Sequence, residues 1–589
     1  MTNENEACLH KNWLTFCGSD SSLKVAAGFQ LLSNEVNVLS YLFRRTRGLM
    51  TAAALASILS GLFSVLLIAQ INTALNSDAA SRAASHINPA WAFAGIAVAL
   101  MVCRMVSTAL FERLGQRALA ELRSFIAQCV AVTPFAQFER VGSARIQSAL
   151  TEHSNNVAVL FVSLPVILTN TVIVVGCLGY LAMLSWQVFL FALGVIGLGA
   201  VGYHLVHLRA IHYLQSASSE QDRLFGHFRA LTDGAKELRL HQRKSRVFMD
   251  QILGESVEGV RRLRTYGMSL FVISTSWGQF LMYAFIGLVL FVLAGDGPNQ
   301  TQVMTGFALV FVFMVTPLEG LLINIPRINM ARVAASRIDN ITREMPQGQE
   351  RQASPQVPAL QRLELRDVTH QYYHEQSDDF FELGPINLSF TPGEVVFLVG
   401  GNGSGKTTLA KVVVGLYPPD GGEVLLNGER VEADGWDAYR QLFSVVFSDF
   451  HLFERLLEAP REDLDEEGNR LLAKLHLQHK VRVENGAFTT QALSQGQRKR
   501  LALVVAYLED RPFLVFDEWA ADQDPLFKEV FYCEVLPELK RMGKAVLVIT
   551  HDDRYFHLAD RLVRLESGKL LATESEIAQE PLAEPSPAT

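Results

Sequence analysis

A glycine-rich segment follows directly after an apolar run with the pattern of a buried strand, Val395–Val399. Residues without bulky side chains let successive backbone N–H groups close around a phosphate, and the N-terminus of a following helix favours negative charge. Lys406 can reach the β- and γ-phosphate oxygens, and the Thr407 hydroxyl can ligate Mg²⁺. The segment therefore predicts a phosphate-binding loop for a nucleotide. Its residues are Gly400, Gly401, Asn402, Gly403, Ser404, Gly405, Lys406, Thr407 and Thr408.

Two carboxylates, Asp517 and Glu518, follow another apolar run further along the chain, 513–516. Such a run is expected to form a buried strand whose carboxyl end carries both acids. Asp517 is predicted to ligate Mg²⁺, and Glu518 is predicted to polarise the attacking water as a general base. A solvated strand end is the alternative, and the phosphate loop earlier in the chain argues against it.

A third apolar run, 546–549, is followed by Thr550 and His551. A histidine is usually structural, but one at a strand end after the paired acids is predicted to contact the γ-phosphate. Lys406, Glu518 and His551 form the predicted catalytic set. Upstream of the phosphate loop, Tyr372 can stack on a purine. Tyr373 is a rival for that role, and a core position is the alternative for either ring.

The distribution of apolar residues predicts a membrane domain. Apolar residues make up 49% of the 589 residues and charged residues only 19%. Crossing a bilayer as a helix takes about 20 apolar residues. One long run could be a buried core helix, but six of them before residue 330 predict six membrane spans. The predicted spans are 49–72, 90–111, 157–181, 186–206, 268–294 and 303–325.

Basic residues predict the orientation of these spans. They precede the first span and are frequent in two long segments, 112–156 and 207–267, whereas the short connections contain only Arg82. The positive-inside rule therefore predicts that both termini and both long segments are cytoplasmic. The long segments are interrupted at Thr133-Pro134 and at 232–234. These turns are predicted to dock on a cytosolic domain, with a solvated charged face as the alternative.

Shifts in composition divide the chain into five parts. The apolar spans give way to a Gly/Gln/Pro/Ser-rich stretch, after which strand-like and helix-like segments alternate as in an α/β domain. The predicted parts are a disordered extension 1–35, a six-span domain 36–340, a linker 341–359, a nucleotide-binding domain 360–575 and a disordered tail 576–589.

Charge and cysteine content argue against a nucleic-acid-binding protein and against a cysteine-based metal site. The net charge is −8 and no basic tract is present, so nucleic acid is not a predicted partner. The six cysteines are scattered without metal-ligand spacing, and we expect free thiols.

The segment 493–497 resembles the L-S-G-G-Q signature of ABC transporters. Together with the phosphate loop, the paired acids and the six spans, it makes the chain similar to an ABC exporter half-transporter. The resemblance implies a multi-domain membrane protein, with a six-helix all-α transmembrane domain followed by an α/β P-loop ABC ATPase domain. It also implies ATP and Mg²⁺ as cofactors and a homodimer in which the signature meets the partner's ATP. Site residues implied by the resemblance are Ser494, Gln495, Gly496, Gln497 and, in the D-loop, Asp524.

Four longer segments, 446–453, 494–500, 516–525 and 550–556, resemble the cyclic-peptide exporters of Gram-negative bacteria. That resemblance implies ATP-driven export, by alternating access, of a siderophore precursor, lipopeptide or microcin-like peptide across the bacterial inner membrane. A multidrug or lipid exporter is the alternative within exporters. A regulatory or channel-type ABC protein is the alternative outside them, and the presence of Glu518 argues against it.

The chain departs from the general ABC pattern at three places. Ser448 replaces the Q-loop glutamine, Gln495 replaces a signature glycine, and the D-loop at 521–524 reads Ala-Asp-Gln-Asp. The serine hydroxyl has a shorter reach than the glutamine amide, so we expect any contact with Mg²⁺ to run through water. The cyclic-peptide group shares these variants, so they do not predict a loss of activity.

The cargo site is the least defined part of the prediction. Glu319 is an ionisable residue at membrane depth in the last span, and such residues often line a substrate pathway. Polar residues of the fifth span are further candidates, with helix–helix hydrogen bonding as the alternative for each of them. These candidates are Ser274, Thr275, Ser276 and Gln279.

Overall fold

A computed structural model describes residues 38–76, 89–291, 300–345, 359–374, 379–457 and 463–574. The predicted extension 1–35, the tail 576–589 and most of the linker lie outside these residues. The chain forms two compact units. One comprises Met1–Ala131 and Val141–Gln347, and the other comprises Val132–Arg140 and Gly348–Thr589.

Long helices make up the described part of the first unit. A helix satisfies every backbone hydrogen bond within its own segment, which an apolar run requires in lipid. Six helices are long and apolar enough to cross a membrane, which confirms the six predicted spans. In chain order the α-helices up to residue 344 are α1 Val38–Arg45, α2 Arg47–Asn76, α3 Pro89–Val132, α4 Phe135–Val141, α5 Ser143–Ser148, α6 Ser154–Leu184, α7 Trp186–Asp233, α8 Ala235–Leu240, α9 Gln242–Val247, α10 Gly254–Phe291 and α11 Gln300–Glu344. Of these, α4 belongs to the second unit except for its last residue.

Both interruptions predicted in the long segments are present. Helix α3 ends at Val132, directly before Thr133 and Pro134, and the α4 helix begins immediately after them. Helix α7 ends at Asp233 and is capped by Gly234. Proline lacks an N–H and clashes with the preceding turn, and glycine tolerates the open backbone of a helix end. Local sequence therefore sets both breaks.

An apolar core holds the spans of the first unit together. Helix α6 packs against α2 and α11, and α10 packs against α7. At the centre, the rings of Phe285 and Phe311 lie 4.7 Å apart, and Cys177, Leu181 and Phe307 are buried around them. These contacts join residues from helices that are distant in sequence.

The second unit contains alternating strands and helices, as predicted for an α/β domain. Its strands are β1 Leu363–His374, β2 Asp379–Phe390, β3 Val395–Val399, β4 Gly421–Leu426, β5 Glu429–Arg430, β6 Phe443–Val446, β7 Val483–Glu484, β8 Ala487–Phe488, β9 Phe513–Asp517, β10 Ala545–Ile549, β11 Arg561–Glu566 and β12 Lys569–Glu574. Its longer helices are α12 Lys406–Val413, α13 Trp436–Arg440, α14 Leu464–Lys474, α15 Gln495–Leu508, α16 Pro525–Glu529 and α17 Leu536–Arg541.

The described strands of this unit form two larger sheets and a two-stranded sheet of β7 and β8. A six-stranded sheet has the order β12-β11-β3-β10-β9-β6, and an antiparallel sheet has the order β2-β1-β4-β5. Strands β3, β9 and β10 are buried along their whole length, as expected for apolar runs at the centre of a parallel sheet. Ile549 pairs with both Leu398 and Asp517, so the three strands end at the same edge. That edge carries the phosphate loop, the paired acids and His551.

Candidate functional site

The phosphate loop connects β3 to α12 and requires glycine at two positions. Gly400 and Gly405 have φ of 157° and 99°. A Cβ at Gly400 would lie 2.1 Å from the carbonyl oxygen of Leu565, and one at Gly405 would lie 2.8 Å from the Phe381 ring. Only glycine combines these backbone angles with such close contacts. The loop conformation is therefore built into the sequence.

Lys406 lies folded over this loop. Its side chain is buried, and its Nζ donates hydrogen bonds to the carbonyl oxygens of Gly400 and Gly401 at 3.1 and 3.0 Å. A buried ammonium with only neutral partners is well placed to bind an anion. This arrangement fits the predicted role of Lys406 at the phosphates.

Asp517 and Thr407 meet at the predicted metal position. The Thr407 hydroxyl donates to Asp517 Oδ2 at 3.0 Å, while Asp517 Oδ1 is buried and has no hydrogen-bond partner among the described residues. Burial raises the pKa of Asp517, while the Thr407 hydrogen bond and the nearby Lys406 charge oppose that rise. Hydroxyl and carboxylate oxygens are the ligands that Mg²⁺ prefers. The residues present therefore fit Mg²⁺.

Glu518 and His551 lie next to each other beside this position. Glu518 Oε1 is 3.4 Å from His551 Nε2, and both side chains remain accessible, with 37% and 46% of their surface exposed. The Glu518 N–H donates to the Ile549 carbonyl oxygen at 3.1 Å, which ties the end of β9 to the end of β10. The structure thus brings together the three predicted catalytic regions.

Ser448 is exposed, and its backbone opposes the rise in the pKa of the Asp517 carboxyl group. The sequence analysis considered only the serine hydroxyl. Contact of Ser448 with Mg²⁺ stays a prediction.

Tyr372 lies on β1 with 42% of its surface exposed. Its ring stacks on Tyr417 at 6.4 Å between centroids, and Tyr417 stacks in turn on His370 at 5.0 Å. An exposed ring supported from behind can stack on a purine. The described side chains therefore fit the predicted role of Tyr372.

The signature forms the start of α15. Ser494 is the N-cap residue and forms a capping box with Gln497, so each side chain bonds the other's backbone N–H. Asp524 caps α16 in the same way, accepting from the N–H of Phe527 at 3.1 Å. Among the described residues, no hydrogen bond joins the signature to the phosphate loop. Contact of the signature with the ATP of a second copy stays a prediction.

The variant signature and D-loop residues contact each other. Gln495 Nε2 donates to Asp522 Oδ2 at 3.1 Å, and Gln523 Nε2 donates to the Gly496 carbonyl oxygen at 3.0 Å. Lys499, one turn beyond Gln495, also bonds Asp522. The sequence analysis missed Lys499, and the only available signal was its i,i+4 spacing from Gln495.

The first interrupted turn packs against α12 and the segment that follows it. Residues 132–140 cluster with the second unit, and the Phe135 ring lies 6.1 Å from that of Tyr417. Glu139 accepts hydrogen bonds from the Tyr417 hydroxyl and from Lys411 Nζ, the latter at 3.0 Å. Burial and the Glu139 carboxylate raise the pKa of Tyr417, which keeps its hydroxyl a donor. The docking predicted for this turn is confirmed. Docking of the turn at 232–234 stays a prediction.

The candidate cargo residues lie in different environments. Ser274 donates to the carbonyl oxygen of Tyr203 on α7, and Thr275 bonds carbonyl oxygens of its own helix. Ser274 is therefore a helix–helix hydrogen-bond partner. By contrast, Glu319 Oε1 is buried without a hydrogen-bond partner among the described residues. Cavity contact stays a prediction for Glu319, Ser276 and Gln279.

Comparisons with known proteins agree with this site. Residues 383–521 match the family model described as ABC transporter. The chain is 34% identical over 533 residues to "ATP-binding protein SyrD" of Pseudomonas syringae pv. syringae, covering 88% of this chain and 93% of that protein. It is 26% identical over 501 residues to an "ATP-dependent lipid A-core flippase" of Thiobacillus denitrificans, covering 81% and 84%.

A solved structure of a bacterial Atm1-family ABC exporter with ATP bound has the same fold. It superposes with a TM-score of 0.68 at 14% identity, covering 90% of this chain and 95% of that one. The fold likeness, the family match and the SyrD relative agree on one architecture of membrane helices followed by an ATPase domain. This chain therefore belongs to the ABC transporter family, as an ATP-hydrolysing multi-pass exporter of the half-transporter type.

Proposed function

We propose that this exporter moves a cyclic or non-ribosomal peptide, such as a siderophore precursor, lipopeptide or microcin-like peptide, across the bacterial inner membrane. The observation that carries this proposal is the 34% identity to SyrD over most of both chains, against 25–26% for the flippase relatives. The variant signature and D-loop, bonded through Gln495 and Asp522, add support, because these variants resemble those of the cyclic-peptide group.

The ATPase chemistry is assigned to named residues of the described site. Glu518 removes a proton from the attacking water, and the adjacent His551 orients that water and the γ-phosphate. Lys406 stabilises the negative charge that develops on the phosphates. Mg²⁺, held by Asp517 and Thr407, supplies charge neutralisation when bound.

In this proposal, ATP binding and hydrolysis drive the movement of the membrane spans that transports the cargo. Two copies related by a two-fold axis are proposed to enclose two ATP molecules, each between the phosphate loop of one copy and the signature of the other. ATP stabilises the closed state and hydrolysis releases it, so the membrane cavity opens to alternate sides. Both termini are proposed to be cytoplasmic.

A lipid exporter is the second candidate, because several relatives are named ATP-dependent lipid A-core flippase. Reconstitution into liposomes separates the two. ATP-dependent uptake of a labelled cyclic lipopeptide, absent from the Lys406→Ala variant, is the expected result. Translocation of labelled lipid A without peptide uptake would replace the peptide proposal with the lipid one. If a preparation that hydrolyses ATP transports neither the lipopeptide nor lipid A, both cargo proposals are contradicted.

A further inference from the structure

Lys499 is a charged side chain enclosed in the ATPase unit. It lies on α15 with only 2% of its surface exposed. Burying an ammonium group is costly unless it is paired and hydrogen-bonded. Its Nζ lies 2.8 Å from the carbonyl oxygen of Glu518 and 2.7 Å from Asp522 Oδ2. Both partners belong to the segment that directly follows β9.

The backbone at Glu518 needs such support. Its φ of 50° lies in the left-handed region, which residues with a Cβ rarely adopt. A conformation of this kind persists only where the surroundings hold it. The Glu518 N–H donates to the Ile549 carbonyl oxygen at 3.1 Å, and the Glu518 carbonyl oxygen accepts from Lys499 Nζ at 2.8 Å and from the Ala521 N–H at 3.2 Å. Among these three hydrogen bonds of the described residues, Lys499 supplies the one that comes from a side chain.

Trp519 contacts the backbone of Lys499. Its Nε1 donates to the carbonyl oxygen of Lys499 at 2.8 Å, and its ring stacks on Phe531 at 4.4 Å. Lys499 therefore bonds the segment after β9 through both its ammonium and its own carbonyl. Since Gln495 also bonds Asp522, the first turns of α15 and the D-loop form one connected network.

We infer that Lys499 is a positioning residue for Glu518, linking the signature helix to the general base of the same copy. The inference rests on the proposed role of Glu518 and on the proposed dimer. In that dimer each signature meets the partner's ATP, so Lys499 would connect the signature at one ATP to the base at the other. The lysine acts through the backbone it holds and does not touch the reacting atoms.

The test compares variants of the full-length protein in detergent micelles. Lys499→Met keeps a long unbranched side chain but removes the ammonium N–H donors. Lys499→Gln keeps N–H donors without the positive charge. Lys474→Met is the matched control, because Lys474 forms an ion pair with Glu538 on other helices of the unit. The measurements are kcat and KM for ATP hydrolysis and the Kd of a fluorescent ATP analogue. Glu518→Gln is measured beside them.

Lys499→Met is expected to lower kcat about tenfold or more while KM and Kd change by less than about twofold. Lys499→Gln is expected to recover part of the lost kcat, and Lys474→Met to match the parent. A parental kcat in Lys499→Met, together with an inactive Glu518→Gln, would overturn the positioning inference but leave the general-base assignment of Glu518 in place. Parental activity in Glu518→Gln would overturn the general-base assignment and the inference with it. If Lys499→Met fails to bind ATP, the effects on kcat and on Kd are compared in Lys499→Gln instead. A parental kcat in that variant, or an equal loss of kcat and of ATP binding, would overturn the inference that Lys499 positions Glu518.

Discussion

Asp517 and Glu518 are neighbours in sequence but have different environments. Asp517 is the last residue of β9, is almost completely buried and accepts a hydrogen bond from Thr407. Glu518 follows in a left-handed conformation and keeps an accessible carboxylate beside His551. The change of backbone direction between them separates the two carboxylates. Asp517 is therefore placed to bind a metal ion, and Glu518 is placed to accept a proton from water.

Lys406→Ala should reduce ATP turnover by about a hundredfold, because it removes a preorganised positive charge from the phosphates. The ammonium lies over the loop, where Gly400 and Gly401 hold it in place. Purified variant and parent are compared in a phosphate-release assay, with circular dichroism as the control for the helical fold. Hydrolysis close to the parental rate would contradict the assignment of the phosphate loop.

Ser448→Gln should keep ATP hydrolysis within about threefold of the parent, since it is the backbone of Ser448 that acts on the pKa of Asp517. The side chain of Ser448 is exposed, so a longer one has room. The measurement is kcat at saturating ATP and Mg²⁺. Complete loss of activity would show that the loop is shaped around the serine side chain.

At this scale the sequence predicted which residues lie together at the strand edge but missed those that support them. Spacing relative to apolar strands was enough to bring Lys406, Glu518 and His551 to this edge, because the ends of parallel strands meet there. Lys499 was missed because its contacts with Glu518 and Asp522 depend on how α15 packs against the D-loop. No local pattern encodes that packing.

The helix α4 shows how a short element joins two parts of the protein. Its residues cluster with the ATPase unit although the long helix before it belongs to the membrane unit. Glu139 reaches both Lys411 and Tyr417, and Tyr417 also supports the ring of Tyr372. The contacts of α4 therefore extend through Tyr417 to the ring of Tyr372 within the second unit.

Glu139→Ala should loosen this docking, because it removes the acceptor shared by Tyr417 and Lys411. The loss is about 1 kcal/mol, or roughly fivefold faster amide exchange, since Glu139 is one-third exposed. Hydrogen–deuterium exchange of peptides covering 135–141 measures it, with Arg140→Ala as the control on the same helix. Unchanged exchange in Glu139→Ala would show that other contacts, such as Phe135, hold the turn.

The elements themselves were largely predictable. Six apolar runs predicted the six spans, and strands β3, β9 and β10 were evident as short apolar runs ended by functional residues. Thr133 and Pro134 marked the break before α4. The partner of that turn was not predictable, because Glu139 and Tyr417 are 278 residues apart in sequence and meet only through tertiary packing.

At the scale of the whole molecule, a membrane unit and an ATPase unit are joined in one chain. The described residues of one copy contain a phosphate loop, a metal position, a general base and a signature, yet no hydrogen bond joins the signature to the loop. Completion of each ATP site by a second copy is part of the proposal, in which ATP binding and dimer closure would be a single event.

Glu518→Gln tests this account most directly. The amide keeps the size of the side chain but cannot accept a proton, while Lys406, Asp517 and the signature are left intact. Hydrolysis should fall by at least about a hundredfold. ATP should stay bound, and the homodimer should be trapped closed.

The measurement is retention of radiolabelled ATP together with chemical cross-linking between the two copies, with the signature and the phosphate loop unchanged. The account predicts retained ATP and efficient cross-linking in Glu518→Gln, both abolished by adding Lys406→Ala. Parental hydrolysis in Glu518→Gln, or a variant that neither retains ATP nor cross-links, would contradict it.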